Sequence, residues 1–338
     1  MLSSAASALA VLVVGLPQSQ AAPAGLPAWT SVQASLAYSQ DGTRVSGIAA
    51  LIDDSGLFLA HRSAIRGTLV KAKFTDGMTL NLLVLKSDDH TQLMLLQATY
   101  WEQGVRRPLQ VAKSPVKGNV GILAATPAGP RLGEFVADGR AGMMKPSLRY
   151  VPLSEIRLET SDDRIAGSMV FNSAGELIGV FGATLETSKR SVQTVGKLRS
   201  GLAAGRGGGG GFSAPGPRGV TVAYALGREV LERVVNGFRS PSHKVQHPTI
   251  GIFFKATLTG RGVLIESVLA GSPSAIAGLM RGDVVLDIDG ESVNSPVELA
   301  ILLFKQRIGN TIRLRYLRGV QTGTATVTVV GSQPTLGL

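Results

Sequence analysis

Side chains able to do chemistry are few in this chain, and spacing alone sets most of the usual constellations aside. There is no cysteine, which removes thiolate nucleophiles, disulfide frameworks and thiolate metal sites together. His243 and His247 stand four apart, an interval that puts two imidazoles on one helix face, but Pro241 and Pro248 bracket them and exclude that helix. No metal site is expected there. Asp283, Asp287 and Asp289 form a carboxylate cluster in sequence, which strand alternation and adjoining turns explain structurally. The run GRGGGGG from Gly205 lacks the Lys and Ser with which a glycine loop holds phosphate. Serine, histidine and carboxylate side chains are present as well, and a hydroxyl acts as a nucleophile only where an imidazole oriented by a carboxylate lies within hydrogen-bond reach. The stretch ETSDDRIAGSMVFNSAGELIGV, residues 159–180, poses the question of where such a serine would sit.

Any such site must be carried by short strands. Between residues 28 and 200 the apolar runs SGIAALI, GLFLAH, LNLLVLK, QLMLLQA, NVGILAA and GELIGVFGA are separated by Gly, Pro, Asp and Ser. Runs of this length, spaced by turn residues and without helical periodicity, predict an all-β barrel or sandwich. The tract GRGGGGGFSAPGPRG, residues 205–219, is a flexible loop or linker. VTVAYA then reads as one more strand, and GREVLERVVNGF carries Val230, Leu231, Val234, Val235 and Phe238 at the spacing of an amphipathic helix. The glycine tract therefore interrupts a domain before its last strand and helix.

After residue 245 the pattern changes: TIGIFFKA, GVLIESV, DVVLDIDG, TIRLRYLR and TATVTVV read as strands. Between them SPSAIAG is a short helix that Ser272 caps with Pro273 at its first position, and SPVELAILLFKQRIG a longer one ending near Gly309. At roughly 150 residues per domain, 338 residues divide into two, at 28–240 and 245–332. With 44% hydrophobic and 17% charged residues the chain can bury a sizeable core and is not globally disordered. The net charge of +11 is spread over scattered Lys and Arg, with no aromatic-interleaved basic stripe, so nucleic acid is not an expected partner. The start, MLSSAASALAVLVVGLPQSQAAP, has an apolar run from Ala5 to Leu16, then Pro17, with Ser19 and Ala21 spaced as at a signal-peptidase site. It is too short to span a bilayer and reads as an export signal over residues 1–22 or, since no Lys or Arg precedes the apolar run, as a buried strand.

The order of strands and two helices after 245, with AGLMRGDVVLDIDGESV at its centre, resembles a PDZ domain of the HtrA type. Arg281-Gly282-Asp283 before the apolar strand and Asp289-Gly290 after it carry that resemblance. Such domains capture the C-terminus or an extended segment of another chain by adding it to a sheet edge. The resemblance places the carboxylate-binding loop at Thr249, Ile250, Gly251 and Ile252, where Gly251 lets the backbone approach closely. The helix around Leu299 and Leu303 forms the other wall, unless those leucines are simply core.

Three segments before it resemble a trypsin-like protease of the same HtrA type. They are SGIAALIDDSGLFLAHRSAIRG, FTDGMTLNLLVLKSDDHTQLMLLQ and the stretch quoted above. Mainly β architecture follows: a chymotrypsin-like double β-barrel, then a β-sandwich-like PDZ domain with two helices. An ungapped reading puts the family's catalytic histidine at Ser63, its aspartate at Gln92 and its serine at Ala166. The Gly-Asn-Ser-Gly-Gly-Pro motif becomes Arg164-Ile165-Ala166-Gly167-Ser168-Met169. Alanine has no nucleophile, and Arg164 and Ile165 resist the turn that forms an oxyanion hole. A displaced triad of His61, Asp89 and Ser168 is the rival, at the cost of a two-residue slip at both ends; the plainer reading makes His61 a loop histidine, Asp88 and Asp89 turn residues and Ser168 the partner of a local backbone group.

What the resemblance implies is an exported, periplasmic or secreted pseudoprotease without a cofactor. Its partners would be peptides or protein C-termini, acting through the PDZ groove in an adaptor or chaperone-like role. The alternative is an active endopeptidase of envelope protein quality control. A third possibility is a structural subunit assembling with itself or with active relatives, although residues 23–45 lack the aromatic-rich character of the family's trimerising segments.

Overall fold

The computed structural model describes residues 33–39, 44–65, 67–74, 76–114, 118–123, 131–144, 149–158, 167–182, 185–186 and 221–332. The expected export signal at 1–22, the glycine tract at 205–219 and Ala166 lie outside them. Among the described residues, no helix is long and apolar enough to cross a membrane.

The first six strands are β1 (Gln33–Ser39), β2 (Arg44–Asp53), β3 (Leu57–His61), β4 (Leu69–Phe74), β5 (Thr79–Asp88) and β6 (Leu93–Ala98). They close into a barrel in the order β1-β2-β3-β6-β5-β4. The hairpin from β2 to β3 forms because Asp53 accepts the backbone N–H of Ser55 on its side chain at 2.9 Å and that of Gly56 on its carbonyl at 3.1 Å. Gly56 takes φ +84°, and a Cβ there would lie 2.6 Å from Trp101 Cγ, so only glycine fits. All five residues of β3, LFLAH, are buried, since both of its edges are paired and both faces meet side chains.

A second barrel follows: β7 (Gly118–Leu123), β8 (Arg131–Met144), β9 (Arg149–Leu158), β10 (Met169–Phe171), β11 (Leu177–Phe181), β12 (Leu185–Glu186) and β13 (Thr221–Gly227). The order is β12-β8-β7-β10-β11-β13-β9, and β8 also pairs β9, which closes the sheet on itself with β12 outside the closure. Helix α1 (Arg228–Arg239) leaves β13 directly and buries Val230, Leu231, Val234, Val235 and Phe238, the residues its periodicity predicts.

The C-terminal domain contains β14 (Pro248–Thr249), β15 (Ile252–Ala256), β16 (Val263–Val268), α2 (Pro273–Ile276), β17 (Val284–Ile288) and β18 (Glu291–Ser292). It ends with α3 (Pro296–Lys305), β19 (Thr311–Arg318), β20 (Gln321–Thr328) and β21 (Val330–Gly331). Ser272 and Ser295 cap α2 and α3 through their hydroxyls. Helix α3 stops at Lys305 rather than near Gly309, whose N–H is drawn to the carbonyl of Val329 at 2.8 Å. TIGIFFKA is not one strand. Gly251 at φ +82° breaks it, and a Cβ there would lie 2.2 Å from the Cβ of Ser272. The three aspartates are structural: Asp283 pairs with Arg318 at 2.7 Å, Asp287 with Arg315, and Asp289 accepts the backbone N–H of Arg313 at 2.8 Å.

One apolar cluster runs through both barrels and α1, and includes Phe304 from α3. Phe238, 1% exposed, sits in it. Truncating this ring leaves a cavity that a core joining three bodies cannot collapse around. Phe238→Ala is expected to cost about 3–5 kcal/mol in denaturant unfolding; a loss under about 1 kcal/mol would show that α1 is peripheral.

Candidate functional site

His61 ends β3, opposite Leu93 of β6, and the chain then makes a single 3-10 turn over Arg62–Ala64. The imidazole caps that turn. Its Nδ1 accepts the backbone N–H of Ser63 at 3.2 Å and lies 2.8 Å from the Ser63 hydroxyl, so in the neutral ring the proton is on Nε2. Nε2 is buried with no hydrogen-bond partner among the described residues. Burial pushes the His61 pKa down from 6.5 to about 4, because a charged ring would forgo its hydration.

Ser63 and Gln92 meet at the same end of the first barrel. The carbonyl of Gln92 accepts the N–H of Arg62 at 2.8 Å, and Gln92 takes φ +60° at the turn into β6. Gly167, next to the sequence position of Ala166, comes up against them: a Cβ on Gly167 would lie 3.2 Å from Ser63 Oγ and 3.7 Å from His61 Cβ. Positions 63 and 167 are thus neighbours.

The residues of the displaced triad lie otherwise. Asp89 is exposed and pairs with Arg62 at 3.4 Å. Ser168 is fully buried, and its carbonyl accepts the N–H of Phe181 at 2.9 Å. Neither is hydrogen-bonded to His61, whose Nδ1 is held by Ser63 and whose Nε2 has no partner among the described residues.

The second region is a cavity of about 300 Å³ between β15 and α3, at the lower end of ligand-pocket sizes. Thr249, Ile250, Ile252 and Leu303 line it. Leu299 does not; it is fully buried in the core of the C-terminal domain. Gly251 shapes the loop from behind, its N–H donating to Thr249 Oγ1 at 3.1 Å and its carbonyl accepting from Leu269 at 2.8 Å. β15 pairs only β16, so among the described residues its other edge, beside the cavity, is unpaired. Sequence reasoning missed Ala300, which lines the cavity from α3, and Tyr150 of β9, whose ring stacks on Phe254 at 6.3 Å. No local pattern links residues this far apart.

At one end of the cavity Asp88, His90 and His247 come together. His247 Nε2 lies 3.0 Å from both carboxylate oxygens of Asp88, and the Thr91 hydroxyl donates to Asp88 Oδ2 at 2.5 Å. The rings of His90 and His247 stack at 4.4 Å. Burial pushes the Asp88 carboxyl up, but the hydrogen bond and charge of His247, the Thr91 hydroxyl and the charge of His90 together hold it below its ordinary 3.8. His243 is elsewhere, its Nδ1 on the carbonyl of Phe238 at 2.6 Å.

Residues 248–329 match the PDZ domain family. Over 265 residues the chain is 25% identical to the serine protease Do-like HtrA of Lactococcus lactis subsp. cremoris, covering 74% of this chain and 61% of that protein. The chain therefore spans about three fifths of that relative's length. It is 22% identical over 317 residues to the serine endoprotease DegS of Salmonella typhimurium, covering 92% of this chain and 83% of that one. Among solved structures, the HtrA-type protease AlgW with tripeptide superimposes with a TM-score of 0.61 at 18% identity, over 91% of this chain and 96% of that one. The serine endoprotease from Yersinia pestis gives 0.58 at 18%, over 90% and 95%. The fold is that of the HtrA-type proteases, a chymotrypsin-like pair of barrels followed by a PDZ domain.

The buried His61 has a measurable consequence. Its folded pKa of about 4 lies below the ordinary 6.5, so the unfolded chain takes up the proton first and stability falls as pH drops from 6.5 to 4. The loss over that window is expected to be on the order of 3 kcal/mol. His61→Asn, which caps the turn without titrating, should flatten the difference in urea unfolding between pH 7 and 4. An unchanged slope would place the titration elsewhere.

Proposed function

We propose that this chain is a peptide-binding HtrA-like pseudoprotease. Its PDZ groove captures protein C-termini or extended segments, and its barrels serve as an adaptor or chaperone-like scaffold. The observation that carries the reading is the cavity between β15 and α3, beside an unpaired strand edge. An extended peptide added to that edge gains backbone hydrogen bonds while its last apolar side chain enters the cavity over Ile252, Ala300 and Leu303. Solved structures of the same fold are described as holding a tripeptide and a decapeptide.

Loss of catalysis is supported by residue types. Ser63, Gln92 and Ala166 stand where the family has histidine, aspartate and serine, and the closeness of Ser63 to Gly167 agrees with that alignment. The one imidazole nearby, His61, is spent on capping its own turn and held neutral by burial. The apolar run from Ala5 to Leu16 supports export, to the periplasm or beyond the cell.

Two measurements on the full chain test this. In fluorescence anisotropy, a short peptide ending in an apolar residue with a free carboxylate should bind saturably. Its C-terminal amide should bind about ten- to hundredfold more weakly, the worth of a charge-assisted hydrogen bond. Ala300→Trp, which fills the cavity wall without touching strand pairing, should abolish binding. Equal affinity for acid and amide, or no saturable binding, would overturn groove capture. A fluorophosphonate probe should leave the folded protein unlabelled. Labelling that disappears in Ser168→Ala would instead establish an active endopeptidase using His61, Asp89 and Ser168.

A further inference from the structure

We propose that Asp88, His90 and His247 form a divalent transition-metal site that fastens the PDZ domain to the first barrel. Asp88 is the last residue of β5 and His90 stands in the turn to β6, while His247 immediately precedes β14. The two ends are 159 residues apart in sequence, yet one nitrogen from each ring and a carboxylate oxygen lie within 4.8 Å of one another. Bonds of about 2.0–2.2 Å to a tetrahedral zinc place ligand atoms a little over 3 Å apart. The His247 Nε2 to Asp88 distances of 3.0 Å already meet this, and His90 Nδ1, at 3.9 Å from Asp88 Oδ1, needs only a small ring movement.

The donor set decides the ion class. Two imidazoles and one carboxylate suit zinc and its neighbours cobalt, nickel and copper, and fall short of the six or more oxygens calcium requires. Thr91 supplies the outer support such sites use, its hydroxyl fixing the carboxylate. His90 and His247 also line the cavity, so the coordination face turned toward it is open to a water or another small donor and gives the ion its entry path. On binding, the ion takes the place of the proton between His247 Nε2 and Asp88, and the neutral imidazole ligand carries its proton on Nδ1.

The test uses the full, tag-free chain after chelator treatment, titrated with cobalt(II) and followed by its visible absorption. Saturation at one equivalent per chain with the intense bands of low coordination number is expected, with zinc displacing the cobalt. His90→Gln, the least buried of the three, should weaken affinity at least tenfold, as should Asp88→Asn and His247→Gln, whereas His243→Gln should not. X-ray absorption at the zinc edge of the unaltered protein should show two imidazoles, a readout independent of whether any variant folds. Absence of saturable binding, a zinc shell without imidazole, or full affinity in folded His90→Gln would each overturn the site and leave Asp88 and His247 as a plain interdomain hydrogen-bonded pair.

Discussion

The apolar seam between the two barrels is what the rest of the molecule hangs on. Ile48, Leu59 and Leu95 reach it from the first barrel, Leu153, Met169 and Phe171 from the second, and the inner face of α1 fills the space between them. Phe304 of the PDZ helix enters the same cluster. Two arginines of α1 hold its margins. Arg233 lies 4.1 Å over the Phe304 ring and donates to the Phe304 carbonyl at 2.8 Å, while Arg239 donates to the carbonyls of Ile52 at 2.6 Å and Leu109 at 3.1 Å. Burying guanidinium groups costs hydration, which the ring face of Phe304 and these carbonyls offset in part. The strap from Leu109 to Ala112 completes the joint through backbone bonds to Leu51 and Leu177.

That joint determines what the sequence made legible. Helix GREVLERVVNGF announces itself because its periodicity reflects the face it buries, strand LFLAH because a short unbroken apolar run suits a strand covered on both faces, and the glycine of Asp53-Asp-Ser-Gly56 announces a turn that only glycine can make. The PDZ domain was legible almost element by element, since its caps and turns are local. Contacts between bodies were not. Asp88 reads as one more turn aspartate, and the prolines around His247 correctly exclude a helix while saying nothing of what His247 meets. Leu299 and Leu303 illustrate the limit within one helix: both are apolar and four apart, but only Leu303 faces the cavity. Which one does so depends on how α3 is rotated against β15, and the sequence of α3 alone does not contain that.

The surroundings of His61 are set by the fold on two sides. Its position at the end of a strand paired on both edges denies it solvent, and the turn that follows claims its one accepting nitrogen. Chemistry requires an imidazole with a free nitrogen aimed at a hydroxyl and a partner holding the other. Here the turn holds Nδ1, and Nε2 is buried without a hydrogen-bond partner among the described residues. The cavity between β15 and α3, by contrast, costs the fold little, because β15 needs only one neighbour to remain in its sheet.

The entry of Phe304 into the seam bears on how such a chain can change over evolutionary time. Domains joined by a slack linker can be exchanged by recombination, because each arrives with its surface complete. This one does not. A foreign PDZ domain spliced in at residues 240–247 would have to bring an aromatic ring to the place of Phe304 and an imidazole to face Asp88, or leave a hole in a core it does not own. The C-terminal domain keeps a core of its own, yet through Phe304 it also completes one that belongs to the barrels, so a change on either side of that ring is felt on the other.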